Sequence, residues 1–268
     1  MYVSLIRRLF VCLAAIALLW AAPRSPAAQP GTLTIAAAAN LRFAMDQLVA
    51  TYRKTHPAAQ VDAVYGASGK LTVQIQQSAP FDLFFAADAD FPQKLVASGD
   101  AAGEPILYAI GKLVMWSASI DLRGVTVSDL AQPRFAHIAI ASPDAAPYGR
   151  RAEQALRAAG IWDRVQPRLV FGTDISQAAQ FARTGNAEVG FIAESIALDP
   201  SMGTGSTVTV PKSMYEPLRQ SFVITKRGAE NALAQDFARY VLGRDAQAIL
   251  LRYGFSLPTE DAPRSRSW

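Results

Sequence analysis

Apolar runs alternate with helically spaced apolar positions along most of the chain. TLTIAAAA (32–39) is an unbroken apolar run of strand length, closed by Asn40. In LRFAMDQLVATYRKTHP, residues Leu41, Ala44, Met45, Leu48, Val49 and Tyr52 share one face of a 3.6-residue helix, and Pro57 lies just past its end. VDAVY predicts a second strand, GKLTVQIQQ a short helix, FDLFFAAD (81–88) a buried strand and residues 91–98 another helix. Three successive strand–helix pairs predict an α/β unit built on a mainly parallel sheet with flanking helices.

The pattern then repeats in kind. LYAIGKLVMWSA (107–118) reads as one long strand interrupted at Gly111, and VSDL opens a short helix. HIAIAS is a strand, PDAAPYG a loop and RRAEQALRAAG a helix stopped by Gly160. RLVFG, the helix opened by Asp174 and Ile175, and AEVGFIAES follow as strand, helix and strand. YEPLRQSFVITK (215–226) offers a second long strand, and AENALAQDFARYVLG and AQAILLRYG are closing helices. No repeat of fixed period and no low-complexity linker separates the units. This order predicts one α/β unit inserted into another, joined by two long strands. The result is a two-lobed clamp with a hinge near Gly111 and Phe222. The first lobe is expected over 29–110 and 222–258, the second over 111–221.

Composition changes the picture mainly at the ends. Over 268 residues the chain is 51% hydrophobic and 18% charged, enough for a sizeable core. The net charge of +4 owes three of its cations to Arg7, Arg8 and Arg24. Removing those from the 26 basic residues leaves 23 against 22 acids, with no basic stripe for nucleic acid. Arg7 and Arg8, the apolar run LFVCLAAIALLWAA and the small residues around Ser25–Ala27 predict an export signal over 1–28. The Arg-Arg-Leu-Phe order leaves a twin-arginine route open. The single cysteine, Cys12, lies in that leader, so a mature protein would carry no thiol, disulfide or thiolate metal site. The polar tail 259–268 is expected to be disordered.

Four strand-to-helix turns carry small or hydroxyl residues: Ala39-Asn40, Ala67-Ser68-Gly69, Pro147-Tyr148-Gly149 and Asp174-Ile175. Ligands of open α/β sheets sit outside the carboxyl ends of the strands. Helix starts there present unpaired N–H groups and roughly half a positive charge each, which suits an anion. Ordinary N-capping explains each turn taken singly, and Asp174 in particular is better suited to cap a helix than to face an anion.

Taken together, AAAANLRFAMDQL, GASGKL, FDLFFAAD, YAIGKLVMWS, APYG, YEPLRQSFVITK and LLRYGFSLP resemble the periplasmic molybdate-binding proteins that feed ATP-driven importers. The likeness runs from about Gly31 to Pro258. It implies the type II periplasmic binding protein fold, with the ligand in the interlobe cleft. The implied ligand is a molybdate or tungstate dianion held by neutral donors, with no cofactor and no bare metal cation. The implied contacts are Ala39, Asn40, Ser68, Tyr148 through its amide and Ile175 through its amide. Some relatives use a tyrosine hydroxyl where this chain has Ala193. Cavity size would select against sulfate, and molybdate and tungstate would be hard to tell apart. A periplasmic monomer delivering its cargo to a membrane permease follows from the same likeness.

Two other readings compete. One is a clamp for a different tetrahedral oxyanion such as sulfate. The other is a secreted hydrolase, for which the residues offer little. His56 sits at a helix end, His137 starts a strand, no Gly-x-Ser-x-Gly elbow exists, and Asp82 and Asp88 suit structural roles. Trp116, Trp162 and Phe81–Phe85 suit a core, and Lys112 and Arg42 suit paired or solvated positions.

Overall fold

The computed structural model describes residues 31–258; the expected leader, Cys12 and the tail 259–268 lie outside the described residues. The residues from Thr32 onward form one compact unit containing two five-stranded sheets. The first holds β1 (Thr32–Ala38), β2 (Gln60–Gly66), β3 (Leu83–Ala86), β4 (Ile106–Gly111) and β10 (Leu218–Ile224). The second holds β5 (Leu113–Ser117), β6 (Ile138–Ala141), β7 (Leu169–Gly172), β8 (Val189–Ala193) and β9 (Ser206–Thr209).

The two sheets follow one plan. Their orders are β2-β1-β3-β10-β4 and β7-β6-β8-β5-β9. In the first, β1 runs parallel to β2 and β3, while β10 is antiparallel to both β3 and β4. In the second, β6 runs parallel to β7 and β8, while β5 is antiparallel to β8 and β9. Each sheet is therefore mixed, with four strands pointing one way and one reversed. The reversed strand in each is the first one formed after the chain crosses from the other sheet.

Helices flank both sheets: α1 (Arg42–Thr55), α2 (Ser68–Gln76), α3 (Asp90–Ser98), α4 (Pro147–Ala158), α5 (Trp162–Val165), α6 (Ile175–Arg183), α7 (Glu194–Ala197), α8 (Ala232–Val241) and α9 (Arg244–Arg252). In α1 the buried set is Ala44, Met45, Leu48, Val49 and Tyr52, the stripe read from the sequence. Its apolar face packs with Leu33, Ile35, Phe85, Phe222 and Phe237 of the first core. The second core is built on Trp116, Phe135, Phe191 and Tyr148, and it runs on into Ala38, Ala39, Ala67 and Ala87 of the first-sheet half.

The two expected long strands are each cut. Residues 107–118 form β4 and β5, which belong to different sheets, with Lys112 as the crossing residue. Residues 215–226 contain only β10, which is wholly in the first sheet from Leu218 onward, so the return crossing lies over 210–217 and not at 222. The reason is pairing: Leu218 already faces Gly111 across the β10–β4 ladder. Trp116 and Phe81 to Phe85 are buried, whereas Trp162 is only partly so.

Candidate functional site

The ends of β1 and β2 and the segments that follow β3, β6 and β7 line one pocket, because parallel neighbours deliver their carboxyl ends to the same side of a sheet. Its walls are Ala38, Ala39, Asn40, Gly66, Ala67, Ser68, Ala87, Ala146, Pro147, Tyr148, Asp174 and Ile175. The space between its walls, open mouth included, is about 200 Å³. All five residues singled out in the sequence (Ala39, Asn40, Ser68, Tyr148 and Ile175) line this one pocket, although they come from four segments of both halves.

The helix starts around it lack ordinary caps. The N-cap of α2 is Ala67 and that of α4 is Ala146, and neither helix start has a side-chain cap. Ala38 holds the same place before the 3-10 turn Ala39–Leu41. Alanine is among the poorest N-caps, since it leaves the first N–H groups without an acceptor. The fourth start differs. Asp174 accepts the Ser176 and Gln177 amides at 2.9 and 3.0 Å, leaving the Ile175 N–H outside that cap. The carboxylate is thus occupied by its own helix.

Ser68 stands at the first position of α2, nearly fully buried. Its Oγ accepts the Ala87 N–H at 3.1 Å, so its proton remains to be given. The Asn40 side-chain amide is already engaged. Its Nδ2 donates to Gln220 Oε1 at 3.0 Å, and its buried Oδ1 is the atom without a partner. Tyr148 is turned so that its ring fills the second core and its hydroxyl accepts from Gln220 Nε2 at 3.1 Å. Burial pushes that phenol well above the ordinary tyrosine range, so it stays a neutral group. Gln220 had no signal in the sequence: it lies 180 positions from Asn40, inside a strand. Ala193 is buried and does not line the pocket.

Several bonds hold the two halves together around the pocket. Gly69 N–H donates to the Ala145 carbonyl at 2.9 Å. Ser195 Oγ donates to the Asn40 carbonyl at 2.8 Å, and Ser176 Oγ to that of Ala39 at 3.4 Å. Arg150 of α4 lies 3.0 Å from Asp90 and 3.9 Å from Asp88, on the opposite wall.

The remaining candidates have structural partners. His56 stacks on Tyr52 with centroids 4.1 Å apart and sits 3.2 Å from Asp236. His137 lies 3.6 Å from Glu188. Asp82 accepts the Thr34 N–H at 2.9 Å and pairs with Arg227 at 3.3 Å. Lys112 pairs with Glu194 at 2.9 Å, and Arg42 lies over the Tyr65 ring. Among the described residues no group of three or more His, Asp or Glu side chains is placed to hold a metal ion.

The family profile of bacterial extracellular solute-binding proteins matches residues 33–256. The chain is 39% identical over 236 residues to the molybdate-binding protein ModA of Azotobacter vinelandii, covering 86% of this chain and 92% of that one. It is 40% identical over 200 residues to the ModA of Rhodobacter capsulatus, covering 73% and 77%. The solved structure of the Azotobacter vinelandii periplasmic molybdate-binding protein superposes with a TM-score of 0.78 at 36% identity, over 84% of this chain and 99% of that one.

Proposed function

The chain belongs to the bacterial extracellular solute-binding proteins, a family of transport components and not of enzymes, and from that premise we propose that it captures molybdate, and tungstate alike, for an ATP-driven importer. The observation that carries this reading is the pocket itself. Helix starts from both halves meet there, two of them capped only by alanine, around one small space. A dianion leaving water needs many donors at once. Backbone amides at helix ends and the Ser68 hydroxyl supply them already oriented, without a cation in the pocket wall.

The contacts would be the amides of Ala39, Asn40, Tyr148 and Ile175 with the Ser68 hydroxyl. Neutral donors make affinity depend less on pH and salt than ion pairs would. Size would exclude sulfate: the smaller ion could not reach donors on both walls together. The halves around the two sheets would act as lobes, with Lys112 and residues 210–217 as the hinge. The ModA likeness supports a periplasmic location and delivery to a membrane permease. The basic, apolar leader supports export.

Calorimetry on the mature protein with molybdate, tungstate, sulfate and phosphate at about 0.15 M salt tests this. Tight binding of the first two with none of the last two is the expected result. Equal binding of sulfate would overturn the size filter, and binding of none of the four would overturn the ligand assignment.

A further inference from the structure

We infer that Gln220 is the positioning residue that ties the two walls of the pocket together, an assignment that rests on reading the pocket as an oxyanion site. Gln220 is fully buried on β10, the strand that follows the return crossing. Its Oε1 accepts from Asn40 Nδ2 at 3.0 Å and from the Tyr108 hydroxyl at 3.3 Å. Its Nε2 donates to the Tyr148 hydroxyl at 3.1 Å. One side chain thus joins Asn40, on the first-sheet wall, to Tyr148, on the second-sheet wall.

Two features of the backbone make room for this bridge. The β10–β4 register shifts between Gln220 and Ser221, and such irregularities re-aim side chains. On β4, opposite Leu218, stands Gly111, where a Cβ would clash with the Tyr148 hydroxyl and Gln220 Nε2. Glycine at the crossing therefore answers to the bridge, since its φ is not one that demands glycine. The bridge can form only when α4 is brought against the first-sheet wall. In that state it fixes the Asn40 and Tyr148 segments, which line the pocket. Opening the halves would part Tyr148 from Gln220 and leave buried polar groups to find water. Closure around a ligand and assembly of the bridge are one event.

The decisive comparison is between Gln220→Met and Gln220→Glu, titrated with molybdate beside the wild-type chain at pH 5.5 and pH 8. Methionine fills the same volume without polar atoms. A protonated glutamic acid reproduces one donor and one acceptor, and burial favours that protonated form. Gln220→Met should bind about tenfold or more weakly at both pH values. Gln220→Glu should bind within about threefold of wild type at pH 5.5 and lose about tenfold or more by pH 8. A packing role alone would leave Gln220→Met near wild type, and that result overturns the assignment. So does a Gln220→Glu variant that is not rescued at pH 5.5. Should Gln220→Met fail to fold, the pH 5.5 rescue decides alone. If the wild-type chain itself binds no molybdate, the reading of the pocket fails first and the role of Gln220 falls with it. Wild-type binding with an indifferent Gln220→Met overturns only the latter.

Discussion

The Ser68 hydroxyl already accepts the Ala87 N–H, so its proton is the part of the group left for a ligand. Ser68→Ala removes both interactions. It should weaken molybdate binding about tenfold and, by orphaning a buried N–H, cost about 1–3 kcal/mol of stability. Calorimetry paired with denaturant unfolding separates the two effects. Gly111→Ala should act from behind the pocket. Its new methyl would meet the Tyr148 hydroxyl and Gln220 Nε2, and rigid overpacking of this kind costs about 1–3 kcal/mol. Lower thermal stability and weaker binding together are the expected outcome. At this scale the sequence was readable where residues sit in turns. Ala39, Asn40, Ser68, Tyr148 and Ile175 fall on strand-to-helix junctions, whose chemistry is local. The use made of Asn40 was not readable, because its partner Gln220 is set by a tertiary contact between distant strands. Asp174 shows the reverse case. Its role as a cap needed only the next three residues, and the structure places the bonds there.

Helix starts carry the argument at the scale of elements. Ala146 precedes α4 without capping it, and Tyr148 and Gly149 occupy the second and third positions. A carboxylate at this N-cap can accept those amides and adds a negative charge to the wall. Ala146→Asp should therefore abolish detectable molybdate binding while the empty protein stays folded, as read by calorimetry and circular dichroism. The helix-capping gain, about 0.5–2 kcal/mol, offsets part of the cost of placing a carboxylate at a buried position. Retained binding would show that the α4 amides do not face the ligand. The elements legible in advance were those with a full period to display, such as α1 and the buried strands β1, β3 and β6. Those missed were single turns or lacked an unbroken apolar run. The edge strand β9 is four residues of STVT, and α5 and α7 are single turns of four residues each. A single turn shows no periodicity. The long runs 107–118 and 215–226 were over-extended for a related reason: apolar pattern alone does not say which sheet a strand joins.

For the molecule as a whole, the question is what holds the two halves together. Beside the hydrogen bonds given by Gly69, Ser176, Ser195 and Gln220 there is an ionic contact: Arg150 faces Asp90 at 3.0 Å and the buried Asp88 at 3.9 Å. Asp88 is a poor partner as it stands. Burial raises its pKa first and most. The Phe91 N–H works against that rise, the Asp90 charge adds to it, and Arg150 and Arg151 lower it. Its Oδ2 is buried without a hydrogen bond. A carboxyl whose folded pKa lies above the unfolded value of about 3.9 binds its proton more tightly in the folded state. Its cost to stability is therefore absent below that unfolded value, and it grows as pH rises through the folded pKa. Asp88→Asn keeps an oxygen for the Phe91 N–H and removes the charge, so it should raise the melting temperature at pH 7. The advantage over wild type should shrink as pH is lowered and vanish below about pH 4. Arg150→Ala should do the opposite at pH 7, because it strips both carboxylates of their cation. A thermal-melt series of the three proteins from pH 3.5 to pH 8 checks the sign. If Asp88→Asn is less stable than wild type at neutral pH, the pairing with Arg150 outweighs the burial, and the carboxylate fastens the two halves together.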